Sequence, residues 1–198
     1  MTADHPSVRR ILALPGSLRR LSYNRRLLDA AARMAPAALV IEVYDALDTV
    51  PLFDEDLEAS TQGGPHGVRR LRAAVAAADG MLIATPEYNH SIPGVLKNAI
   101  DWLSRSATDE LLSGKPIAIV GVSSGRWGTR LAQAALRQVL AATESQVMPA
   151  PMLFLRDASQ LFDEDGGLAD RATQETLRDF LRAFSRWIDV LSREEVSL

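Results

Sequence analysis

The sequence predicts an α/β protein with a three-layer doubly wound fold, a parallel sheet held between two layers of helix. Three observations predict it. Short apolar runs alternate along the chain with segments of helical periodicity. Those runs are apolar at nearly every position, the pattern of strands buried on both faces. Strands that alternate with helices build right-handed βαβ units and one parallel sheet.

The elements follow in order. Ile11-Leu12-Ala13-Leu14 is the first strand and stops at Pro15-Gly16. Residues 24–34 are rich in Leu, Ala and Arg and predict a helix that ends before Pro36. Leu39-Val40-Ile41-Glu42-Val43 is the second strand. Residues 44–65 read as a long loop, punctuated by Pro51 and by Gln62-Gly63-Gly64-Pro65. A helix over 67–78 leads to the third strand, Met81-Leu82-Ile83-Ala84, which ends before Pro86. Val95, Leu96, Ala99, Ile100 and Leu103 form one apolar helix face. Pro116 opens the fourth strand, residues 117–122, and a helix over 131–142 follows. Met152-Leu153-Phe154-Leu155 is the fifth and last strand. Leu177, Phe180, Leu181, Phe184, Ile188 and Leu191 give a long amphipathic closing helix.

Composition narrows the function. The 198 residues suit one domain over 1–198, with residues 1–7 as a disordered tail. A net charge of −3 gives no electrostatic footprint for nucleic acid. The absence of cysteine excludes disulfides, thiolate metal sites and a Cys nucleophile. The longest hydrophobic run is residues 73–78, far short of the ~20 residues of a membrane helix. The first residues lack the apolar stretch of a signal peptide, so the expected location is the cytoplasm.

Doubly wound folds bind ligands at the carboxyl ends of their strands, and the unusual residues lie there. The loop after strand one carries Ser17, Arg19, Arg20, Ser22 and Asn24. Hydroxyls, a guanidinium and the N–H groups of a helix start suit a phosphate. Neither a Walker A loop nor GxGxxG is present. Ser22 also suits an ordinary N-cap, and the loop alone leaves both readings open.

The loop after strand three, residues 85–94, is stiffened by Pro86 and Pro93. Its aimed backbone and Tyr88 suit a planar heterocycle. On this loop alone, a rigid turn with Tyr88 packed on the protein is the stronger expectation, and Glu87 reads as a solvated glutamate ahead of a base.

After strand four, Gly121-Val122-Ser123-Ser124-Gly125 matches the G-x-S-x-G of a hydrolase elbow. The triad order requires a histidine after the serine, but His5, His66 and His90 all precede it. The segment therefore reads as a small-residue turn, open to a flat ligand or simply tight. Asp54-Glu55-Asp56 and Asp163-Glu164-Asp165 read as solvated loops, the second as a turn, and no metal site is expected.

Taken together the loops are more specific. Gly16-Ser17-Leu18-Arg19 with Ser22-Tyr23-Asn24, Pro86-Glu87-Tyr88-Asn89 leading through Ile92-Pro93-Gly94 to Lys97-Asn98-Ala99-Ile100-Asp101-Trp102, and Ser123-Ser124-Gly125 resemble the NADPH-dependent FMN reductase family. These are flavodoxin-like quinone, chromate and azo-dye reductases. The likeness runs over roughly residues 8–192. It implies a five-stranded parallel sheet in the order 2-1-3-4-5. It also implies non-covalent FMN, its phosphate on Ser17, Arg19, Ser22 and Asn24, and its ring against Pro86, Glu87, Tyr88 and Asn89. Ser123 and Gly125 would close the site. Arg126-Trp127-Gly128 departs from a more glycine-rich run in many members. The implied enzyme takes hydride from NAD(P)H at flavin N5 and passes it by ping-pong to a small acceptor such as a quinone, free flavin, azo compound or chromate. The implied assembly is a homodimer or homotetramer. No catalytic side chain is required, since the cofactor carries the chemistry. A flavodoxin-like electron carrier with a protein partner is the alternative, and a hydrolase at Ser123 is a third.

Overall fold

The computed structural model describes residues 8–61, 63–105 and 110–195. The expected tail over residues 1–7 lies outside them. The strands are β1 (Arg9–Pro15), β2 (Leu39–Val43), β3 (Gly80–Ala84), β4 (Pro116–Val122), β5 (Gln146–Val147) and β6 (Leu153–Leu155). The helices are α1 (Tyr23–Arg33), α2 (Glu55–Ser60), α3 (His66–Ala76), α4 (Gly94–Leu103), α5 (Arg130–Ala141), α6 (Ala158–Leu161) and α7 (Arg171–Glu195).

The sheet runs β2-β1-β3-β4, with β5 and β6 both on the far side of β4. Every pair is parallel. Ile11 lies between Ile41 on β2 and Gly80 on β3, and Met81 pairs with Ile117. The expected order therefore holds, but the fifth strand is broken in two. Gln146 and Val147 pair with the start of β4, whereas residues 153–155 pair with Val120, Gly121 and Val122. Pro149 and Pro151 lie between them, and proline has no N–H for the ladder.

Successive strand residues point to opposite faces of the sheet, and two cores result. Ile11, Ala13, Leu82, Ala84, Ala118 and Val120 pack under α1 and α7, against Leu27, Leu28, Phe180 and Phe184. Leu12, Leu14, Met81, Ile83, Ile117 and Ile119 pack on the other face against Leu71 and Val75 of α3, Leu96 and Ile100 of α4, and Leu136 and Leu140 of α5. These are the three predicted layers.

The segment 44–65 is not the plain loop expected. It holds a 3-10 turn, Leu47–Thr49, and α2. Asp54 caps α2, its carboxylate accepting from the N–H groups of Asp56 and Leu57 at 2.8 and 3.1 Å. Thus Asp54-Glu55-Asp56 opens a helix. Two residues of the Lys97–Trp102 motif hold the front of this segment. Asn98 donates to the Pro51 carbonyl at 2.8 Å and accepts from Phe53 N–H at 2.7 Å, and the Trp102 indole donates to the same carbonyl at 2.8 Å. The Asp163–Gly167 segment is a turn as expected, with the Gly167 N–H on the Asp163 carboxylate at 2.6 Å.

Candidate functional site

The loops after β1, β3 and β4 leave the same edge of the sheet because their strands are parallel neighbours. In the first, Ser22 is the N-cap of α1, and its hydroxyl accepts from Arg25 N–H at 3.4 Å. Ser17 accepts from Arg19 N–H at 3.3 Å. The Arg19 guanidinium donates to the Leu21 carbonyl at 2.6 Å and lies 4.9 Å from the centre of the Tyr23 ring. Its side chain is thus held at the mouth of the helix, where first-turn N–H groups lack helical partners and the dipole is positive.

Asn24 is buried at 3% exposure and joins this loop to β4. Its amide donates to the Val122 carbonyl at 2.9 Å and accepts from Val122 N–H at 3.0 Å. Both ends of the side chain are engaged, which leaves the backbone N–H as this residue's group for an anion.

In the second loop, Asn89 and His90 have φ of 49° and 62°. Tyr88 and Ser91 exchange two backbone hydrogen bonds of 3.0 Å across them. That is the pattern of a type I′ turn, which favours Asn at such positions. Tyr88 is 52% exposed, not packed on the protein as the loop alone suggested. Glu87 also differs from the expected solvated glutamate. Its carboxylate accepts from the N–H groups of Leu131 and Ala132 at 2.9 and 3.0 Å and so caps α5. An anion at that terminus complements the helix dipole, and Glu87 thereby fixes the second loop to the third.

In the third loop, the Ser123 hydroxyl accepts from Gly125 N–H at 3.0 Å and donates to the Gly125 carbonyl at 3.3 Å. Among the described residues it has no basic partner, so nothing activates it as a nucleophile. Gly121 packs against Thr129 and the Thr85 carbonyl with no room for a Cβ. At Gly125 a Cβ would make only an ordinary contact with the Ser123 hydroxyl, at 3.5 Å.

These loops enclose a cleft of about 250 Å³. Ser17, Arg19, Ser22 and Asn24 line one end, and Pro86, Glu87, Tyr88 and Ser123 the other. Two sequence-predicted residues lie just outside its wall: Asn89 at the tip of its turn, and Gly125 one residue beyond Ser124. Tyr23, Val122 and Ser124 also line it. Tyr23 and Ser124 stand inside the sequence motifs, but the part of Val122 depends on Asn24, 98 positions away. The donor set suits one kind of ligand, with an anion at the α1 end and a flat ring at the Pro86–Tyr88 end. A phosphorylated flavin has that shape, so the residues fit FMN.

Fold and cleft together define a flavodoxin-like oxidoreductase. The family model of the NADPH-dependent FMN reductases matches residues 9–160. The chain is 42% identical over 179 residues to an NAD(P)H-dependent FMN reductase of Pseudomonas aeruginosa, covering 90% of this chain and 95% of that one. It is 37% identical to a quinone reductase of Escherichia coli, covering 90% and 94%. Among solved structures, the flavoenzyme NAD(P)H:(acceptor) oxidoreductase FerB of Paracoccus denitrificans superposes with a TM-score of 0.84 at 34% identity, over 92% of this chain and 98% of that one. The chain belongs to the NADPH-dependent FMN reductase family. It is an oxidoreductase, with FMN as cofactor and NAD(P)H as electron donor. That sets aside both the hydrolase and the electron carrier.

Proposed function

We propose that this enzyme transfers two electrons from NAD(P)H to a small acceptor by a ping-pong sequence, with a quinone the leading candidate. The carrying observation is the open cleft between the β1, β3 and β4 loops, with anion donors at one end and an uncovered Tyr88 ring at the other. Relatives named 2-hydroxy-1,4-benzoquinone reductase and quinone reductase, at 37% identity, support the acceptor class. Free flavins, azo compounds and chromate are the other acceptors to try.

Bound FMN would supply the hydride chemistry between the nicotinamide and the acceptor. The chain's residues bind and orient. Ser17, Arg19 and the N–H groups of Ser22 and Asn24 would hold the phosphate. Pro86, Glu87, Tyr88 and Asn89 would carry the ring edge, with Ser123 and Gly125 closing the site. Glu87 keeps the second loop in register with α5, and the Asn24 amide keeps the phosphate end in register with β4. No side chain moves a proton in this scheme.

One flat pocket over the ring admits one planar molecule at a time, so donor and acceptor take turns. Initial rates with NAD(P)H and a quinone test this: parallel double-reciprocal lines are expected, and intersecting lines refute it. The working form is a single-domain subunit in a homodimer or homotetramer, in the cytoplasm where NAD(P)H is supplied. A closed assembly with α4 and α5 at the contact would cover the open cleft. Light scattering that gives a monomer mass at full flavin occupancy refutes that part.

A further inference from the structure

Arg126 and Trp127 have no role in the scheme above. Trp127 is 65% exposed, although a side chain of this size usually hides most of its surface. It stands on a turn that the chain holds firmly. The Gly128 N–H donates to the Gly125 carbonyl at 3.3 Å, which puts Arg126 and Trp127 at the two corner positions. The near end is tied by the Ser123 hydroxyl, which accepts from Gly125 N–H at 3.0 Å. At the far end Gly128 has a φ of 67°, and a Cβ there would come within 3.1 Å of the Leu155 carbonyl. Glycine alone suits that position.

The turn and the first residue of α5 carry positive charge only, while Asp157, on the neighbouring segment hydrogen-bonded to Ser123, is paired with Arg156 at 3.6 Å. The Arg126 guanidinium lies 4.5 Å from the centre of the Trp127 ring. Arg130, at the start of α5, lies 5.2 Å from the Phe154 ring. Among the described residues neither guanidinium has a carboxylate partner. The nearby carboxylate of Glu87 is taken up by the α5 terminus. The turn begins one residue beyond Ser124, which lines the cleft with the exposed Tyr88. A single exposed aromatic needs no explanation. An indole fixed at a turn beside the cleft, with two guanidiniums that rest on aromatic rings and have no carboxylate partner among the described residues, is a platform for a flat anion.

We infer that Arg126 and Trp127 bind the electron acceptor and select planar aromatic acceptors that carry an anionic group, such as a carboxylate, a sulfonate or an ionised ring hydroxyl. The inference rests on the oxidoreductase reading of the cleft. The acceptor's ring stacks on the indole and its charge meets the guanidinium. Reduction of a quinone adds a hydride and one solvent proton and gives the hydroquinone. The anionic substituent takes no part in those bond changes, so it can serve as the handle.

The test uses the holoenzyme and an unreactive pair, 2-naphthoate and its neutral analogue 2-naphthamide, titrated by calorimetry. The naphthoate should bind about two- to fivefold tighter, the range of an exposed ion pair. Arg126→Ala should erase that preference, Arg126→Lys should keep most of it, and Trp127→Ala should weaken both ligands about equally. In turnover, Arg126→Ala should raise KM for 1,4-naphthoquinone-2-sulfonate relative to 1,4-naphthoquinone, with little change in kcat. A preference that survives Arg126→Ala overturns the inference, as does a Trp127→Ala protein that falls apart into smaller species by light scattering. Failure to oxidise NAD(P)H with either quinone would instead refute the quinone-acceptor reading. Turnover of both with no preference that depends on Arg126 refutes this assignment alone.

Discussion

Replacing Asn24 tests how the two ends of the cleft are held together. Its amide satisfies both the N–H and the carbonyl of Val122, a residue 2% exposed at the end of β4. Asn24→Ala strands both groups. A buried unpaired backbone group costs roughly 1–3 kcal/mol, so losing both partners costs at least about 2 kcal/mol. At ~2–4 °C per kcal/mol for a chain of this size, Tm should fall by at least about 4 °C. Asn24→Asp sharpens the test. Its carboxylate accepts from the Val122 N–H but faces the carbonyl with no proton to give. Burial and that carbonyl both raise its folded pKa above the ordinary ~3.9. The folded variant then binds more protons than the unfolded one, so its stability falls as pH rises. Its deficit against wild type should be smallest below about pH 4 and complete above the raised folded pKa. Thermal and urea melts followed by circular dichroism across pH measure both effects. A Tm within 1 °C of wild type for Asn24→Ala, or an Asp deficit independent of pH, refutes the reasoning (both limits are about the precision of such melts).

Three further outcomes are expected. Glu87→Ala removes the two hydrogen bonds that cap α5, and urea melts should show a loss of about 1–2 kcal/mol; Glu87→Gln, which keeps an acceptor, should lose less. Arg19→Ala should weaken FMN by about 1.5–3 kcal/mol in a fluorescence titration but leave riboflavin, which has no phosphate, unchanged; equal loss for both ligands would mean that Arg19 acts elsewhere. The Lys115 ammonium donates to the Val75 and Ala78 carbonyls at the C-terminal end of α3, and burial lowers its pKa. A lysine whose folded pKa lies below its unfolded value favours folding more as pH rises toward the unfolded ~10.4. Wild type should therefore gain stability relative to Lys115→Met over that approach, and a flat difference in melts would contradict the sign.

The sequence carried the sheet and both helical layers because buried parallel strands are apolar at nearly every position. It missed α2 because no α2 residue is buried, so there is no apolar period to see. Its signal was Asp54 followed by acidic residues, a helix start without a hydrophobic stripe. The break in the fifth strand was written in Pro149 and Pro151, yet Met152 to Leu155 looked like a whole short strand. In the site, the loops could be found from their residue types, since each follows a strand directly. What individual side chains do there was not legible. Asn24 reaches Val122 across 98 positions, Glu87 reaches α5 across 44 and 45, and Asn98 reaches Pro51 across 47. Such pairings come from the packing of parallel neighbours, which local pattern does not encode.

The central claim is that the cleft between the β1, β3 and β4 loops holds FMN and works on it with NAD(P)H. The most direct test is an anaerobic absorption titration of the purified protein loaded with FMN. The account predicts a yellow protein whose visible flavin band bleaches on addition of NAD(P)H alone and returns when a quinone is added afterwards. A protein that binds no FMN, or whose bound flavin NAD(P)H fails to bleach, would contradict it.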